Sequence, residues 1–163
     1  MNLHDPILLE VKMFLAEFPW IRHQQYQYPL KVCTHFTKDV YDKATEIGMR
    51  CACALVYFEK INFGHAIVAF ATDHGLIYIE PQSGEQESIA IGKPYPTKLD
   101  KIPLGSIVNS VTLSWNDDMT LKWLHCNVCG YVLPTTAITD YCPACTSTDT
   151  KLEMPGILKG KPL

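Results

Sequence analysis

No apolar run in this chain of 163 residues reaches the roughly 18 residues that a membrane-spanning helix requires. A basic excess is also missing: 14 Lys and Arg stand against 17 Asp and Glu, a formal net charge of −3. Nucleic-acid binding driven by overall charge is therefore not favoured, leaving only a local patch for it. The first residues carry Glu10, Lys12 and Glu17 within an apolar stretch and show no signal-peptide pattern. There is no internal repeat and no low-complexity tract. Charged residues make up only 19% of the chain and apolar residues 47%, which excludes a wholly disordered protein. These absences lead to the expectation of a soluble, cytoplasmic protein, without membrane partners, built as one domain or as a smaller domain with an appendage.

Cysteine is what the chain has in unusual number. Seven is odd, so disulfides do not account for all of them. Cys126-Asn-Val-Cys129 and Cys142-Pro-Ala-Cys145 are two C-x-x-C pairs separated by twelve residues. Two residues between cysteines let both sulfurs of a tight turn point at one ion, and four thiolates leave no open coordination position. Cys126, Cys129, Cys142 and Cys145 are thus expected to hold one structural Zn2+. Gly130 suits the positive φ such a turn needs, and Pro143 fixes φ in the second. Cys51 and Cys53 share one strand face and are read as core residues. Cys33 is left over.

The apolar spacing predicts a helix over residues 6–18, capped by Asp5 with Pro6 in its first turn, and a second from about Cys33 to Ile47, ended by Gly48. Residues 20–31 read as a loop. Strands are expected over 50–59, 64–72, 75–80 and 107–115. Asp73-His74-Gly75 is a turn signal, so the second and third strands form an antiparallel hairpin. Residues 83–106, rich in Pro, Gly and Ser, read as an extended surface segment with the option of covering a cleft as a lid. The order predicts an α+β domain, with helices packed on an antiparallel sheet.

A helix N-terminus carries partial positive charge and favours a thiolate, which makes Cys33 a candidate nucleophile. With a two-residue turn at Asp73-His74, His65 and Glu80 lie on one sheet face as diagonal neighbours. His35, two positions from Cys33 on a helix, does not face it and is the weaker base.

The series Val32-Cys33-Thr34-His35-Phe36, Gly64-His65-Ala66 and Tyr78-Ile79-Glu80-Pro81 resembles the transglutaminase-like branch of the papain fold, over roughly residues 25–82. The four C-terminal cysteines resemble a zinc ribbon or a rubredoxin-like knuckle pair. The resemblance implies a transglutaminase-like α+β domain over 1–115, a zinc ribbon over 116–154 and a flexible tail over 155–163. It implies Cys33 as nucleophile, His65 as general base and then acid, and Glu80 orienting the imidazole. Glu80 departs from the pattern, since Asp is usual there. Oxyanion or cleft candidates are the backbone N–H of Cys33, Gln27, Tyr28 and Gln82.

The expected activity is cysteine-dependent acyl transfer, with hydrolysis of an amide or peptide bond in a protein or peptide substrate favoured over cross-linking. The alternative is an inactive papain-like fold that binds protein or nucleic acid through its zinc ribbon. Lys122 and Lys151 are the only cations between 115 and 158, opposed by Asp117, Asp118, Asp140 and Asp149, which weakens the nucleic-acid version.

Overall fold

A computed structural model of the chain describes residues 2–21, 23–99, 101–118, 120–136 and 141–154. The expected tail over 155–163 and Asp140 lie outside the described residues. The architecture is α+β. Helices α1 (Leu8–Glu17) and α2 (Cys33–Glu46) precede strands β1 (Ala52–Phe58), β2 (Gly64–Thr72), β3 (Gly75–Glu80), β4 (Glu85–Glu87) and β5 (Val108–Trp115). These five form one antiparallel sheet in the order β4-β3-β2-β1-β5. A second, three-stranded sheet has β6 (Lys122–Cys126) between β7 (Val132–Thr135) and β8 (Thr150–Glu153).

Two features differ from the sequence expectation. α1 begins at Leu8, and Asp5 does not cap it. Asp5 instead accepts a hydrogen bond from Arg50, 3.1 Å away. The first-turn N–H groups are satisfied by Glu10, which accepts from Ile7, and by Asp73, which accepts from Leu8 at 2.8 Å. The helix is therefore capped by the β2–β3 turn, a partner 65 residues distant that no local pattern encodes. Second, residues 83–106 do not lie wholly on the surface. They supply the edge strand β4 and bury Glu87, Tyr95 and Ile102. The segment has no regular apolar period because it crosses the sheet face irregularly, anchored by single side chains.

The large sheet is covered on both faces. On one side, Val11 and Phe14 of α1 and Phe36, Val40, Tyr41 and Ala44 of α2 pack on Cys51, Cys53, Val68, Phe70, Ile77 and Ile79. On the other, Tyr95 and Ile102 close over Ala54, Val56, Ile67 and Ala69. Burial on both faces explains why β1 and β2 read as nearly continuous apolar runs rather than alternating ones. The helix-side core continues into the second sheet, where Leu121, Trp123 and Val132 join it. The Trp123 and Tyr41 rings meet edge to face, 5.6 Å between centroids. Asn116, fully buried, ties the end of α2 to β1: its amide donates to Thr45 and to the Met49 carbonyl, and its oxygen accepts from the Cys51 N–H.

Candidate active site and metal centre

Cys33 is the first residue of α2 and is half-buried. As the first helical residue it has a backbone N–H without an intrahelical acceptor. Preceding it, Val32 is extended, so the chain turns sharply and presents the thiol at the helix end. His65 is the second residue of β2, and Glu80 the last of β3. The hairpin pairs Thr72 with Gly75 and Val68 with Ile79. That register sets Glu80 beside Ile67, one pair from His65, on the face both share.

The two side chains meet. His65 Nε2 donates to Glu80 Oε2 at 2.6 Å, with both side chains buried. The other Glu80 oxygen accepts from the Gln82 N–H at 3.2 Å, which fixes the carboxylate in place. Cys33 is near enough to His65 to favour its charged form as well. Glu80 occupies Nε2, so Nδ1 is the nitrogen left for the thiol. Burial disfavours the charged imidazole, but the influence of Cys33 and of Glu80 outweighs it, and the His65 pKa is pushed up to about 10. Tyr95 stands edge-on to the imidazole at 5.9 Å and to Phe58 at 5.6 Å, so the ring has an aromatic wall on one side.

Cys33 and His65 open into a cleft of about 690 Å3. Tyr28 and Gln82, both expected near the site, line it. Gln27 does not: it is exposed, and its backbone pairs with Lys31 to close a tight turn. Lys98, Leu99, Lys101 and Ile102 of the 83–106 segment form a wall, so that segment borders the cleft. Lys101 lies over the Tyr28 ring, 4.3 Å from its centroid. Among the described residues no carboxylate lines the cleft, and the charged side chains there, apart from His65, are Lys98 and Lys101.

The sulfurs of Cys126, Cys129, Cys142 and Cys145 all lie within 4.8 Å of one another, a group that can hold a metal ion. Cys126 and Cys145 Sγ are 3.6 Å apart, and Cys129 and Cys142 Sγ 3.7 Å. A tetrahedral ion with bonds of about 2.3 Å sets its sulfurs about 3.8 Å apart, whereas a disulfide needs about 2.05 Å. In the first knuckle Gly130, at φ 74°, donates to the Cys126 carbonyl and turns the chain back. Cys51 and Cys53 are buried in the core, and burial pushes both thiols well up.

Three contributors were not visible in the residue patterns. Tyr131, directly after the first knuckle, lines the cleft. The Thr34 hydroxyl donates to the Val132 carbonyl at 2.5 Å. His35 accepts from the Val32 N–H through Nδ1 and donates from Nε2 to the Gly130 carbonyl at 2.8 Å. It is therefore neutral, and burial lowers its pKa further than the Gly130 bond raises it. Only the adjacency of Thr34 and His35 to Cys33 was there to be read.

Compared with family models, with curated proteins and with solved structures, the chain matches none of them.

Proposed function

We propose that the protein is a cysteine-dependent acyl-transfer enzyme, most simply an amidase or peptidase, with Cys33 as nucleophile, His65 as general base and acid, and Glu80 orienting His65. The observation that carries this reading is the His65–Glu80 pair beside Cys33, with Cys33 and His65 opening into one cleft. The Cys33 sulfur attacks the amide carbonyl carbon with the thiol proton already held by His65. The developing oxyanion is met by the Cys33 N–H at the helix terminus, where the dipole favours negative charge. His65 then protonates the leaving amine, the C–N bond breaks, and a thioester to Cys33 remains. Water, deprotonated by His65, attacks the thioester and releases the carboxylic acid. Glu80 keeps the imidazole aimed and favours its charged form in each step. Lys98 and Lys101, both lining the cleft, favour protein or peptide substrates with acidic groups near the scissile amide. Four thiolates at these spacings favour zinc, held as a closed structural site.

The test is site-resolved alkylation of Cys33 in the metal-loaded protein, followed by mass spectrometry. At pH 6.5 the wild type is expected to react at least about tenfold faster than His65→Ala, since an ordinary thiol, with a pKa of about 8.5, is almost wholly protonated there. Equal rates in the two proteins rule out the catalytic reading and leave a binding module. Anionic iodoacetate is expected to gain on neutral iodoacetamide, and the Lys98→Gln/Lys101→Gln protein to lose that gain; an unchanged ratio removes the acidic preference. Metal analysis after purification without added metal is expected to find about one zinc per chain, and its absence overturns the zinc assignment.

A further inference from the structure

The metal knuckle and the nucleophile are not separate features. The residues directly after Cys33 are Thr34 and His35, in the first turn of α2. Those directly after Cys129 are Gly130, Tyr131 and Val132. The two segments are hydrogen-bonded to each other: Thr34 Oγ1 to the Val132 carbonyl, and His35 Nε2 to the Gly130 carbonyl. Thr34 is buried, so its bond is shielded from water. His35 also receives the Val32 N–H, so one imidazole joins the residue before Cys33 to the knuckle backbone.

Packing follows the same route. Tyr131 lies edge-on to His35, 6.5 Å between centroids, and 6.4 Å from the ring of Tyr28, which also lines the cleft. Gly130 is in close contact with the turn that carries Tyr28: a Cβ built there would lie 2.9 Å from Leu30 Cδ2. Helix start, Tyr28 turn and knuckle are thus three walls of one cleft, and the knuckle touches both of the others.

We propose that the metal-bound knuckle is a structural part of the acyl-transfer site, with Thr34 and His35 as positioning residues that hold the Cys33 thiol against His65. This rests on the proposed role of Cys33. The physical reason is local. A helix N-terminus has unpaired N–H groups and frays readily. Cys33 sits in that turn, where a displacement of an ångström breaks its contact with His65. A loop tied at both ends to one ion has little freedom of its own, so anchoring the turn to it suppresses the fraying. When the ion leaves, the carbonyls of Gly130 and Val132 lose their fixed positions, and the turn loosens with them.

The experiment again reads Cys33 alkylation by mass spectrometry, as the ratio of each protein's rate to that of the same protein carrying His65→Ala. Thr34→Val and His35→Ala are expected to lower this ratio at least about fivefold at pH 6.5 while retaining the full metal content, by the positioning argument. Thr34→Ser and His35→Gln, which keep a donor, are expected to restore most of it. Removing the metal from the wild type with a chelator is expected to lower the ratio at least as far. A wild-type ratio of one sinks the catalytic reading itself. A high wild-type ratio that Thr34→Val and His35→Ala leave unchanged overturns the brace alone, as does a loss that Thr34→Ser and His35→Gln fail to rescue. The variants decide the matter even if the metal-free chain unfolds.

Discussion

Trp123→Ala is expected to lower the unfolding free energy by about 3–5 kcal/mol in chemical denaturation, the range for removing a fully buried large aromatic. Trp123 has no exposed surface. It belongs to the small sheet, yet its ring packs on Tyr41 of α2, within the cluster that holds Phe14 and Phe70. The loss is therefore expected as one cooperative shift of the whole unfolding curve, including the α2 signal. A separate early transition confined to the cysteine-rich segment would show instead that the two sheets are stabilised independently. Trp123→Phe is a useful contrast. Among the described residues the indole N–H has no hydrogen-bond partner, so replacing it deletes no bond. The cost of that substitution is only the volume lost, about 1–2 kcal/mol from the area removed.

Glu80→Ala is expected to cost a similar amount, about 3–5 kcal/mol, because it strands a buried imidazole that was held by its partner. This cost depends on pH, and the direction follows from His65. Its folded pKa is raised, despite burial, by the nearby Cys33 and Glu80. A raised pKa contributes stability that is complete below the unfolded value of about 6.5. That contribution is lost as pH rises through the folded value of about 10. The stability gap between wild type and Glu80→Ala is therefore expected to be largest near pH 6 and to shrink steadily toward pH 10. Denaturation curves at several pH values measure it directly. A gap independent of pH would show that Glu80 does not raise the pKa of His65. Glu80→Gln keeps the shape and an acceptor but not the charge; it is expected to retain part of the stability and to lose most of the pH dependence.

The same residues show how far the linear chain could be read. The hairpin of β2 and β3 followed from Asp73-His74-Gly75 and the flanking apolar runs, and its parity set His65 and Glu80 on one face. The grouping of four cysteines that can hold a metal ion followed from two C-x-x-C pairs. In each case the partners lie in one short stretch, or the geometry is set by a turn with few conformations. Strand alternation and knuckle spacing act over a handful of residues, so they leave a mark in the residue order.

The rest was decided at a distance. The cap of α1 comes from Asp73, far along the chain, while the nearby Asp5 is drawn to Arg50. Gln27 fell six positions before Cys33 but is exposed and does not line the cleft; its backbone closes on Lys31. The 83–106 segment looked like surface from its composition; three buried side chains, each isolated in the sequence, hold it across the sheet and make it a cleft wall. Most of all, the residue patterns had the cysteine knuckle as an appendage. Hydrogen bonds from Thr34 and His35, and the burial of Trp123 against Tyr41, join it to the helix that carries Cys33. Such contacts depend on how two separately encoded pieces dock, and docking is governed by shape and burial summed over many side chains rather than by any local period. Hairpin register and metal-ligand spacing are local and were legible in the chain; the joining of knuckle, helix start and cleft into one site exists only after the two sheets share a core.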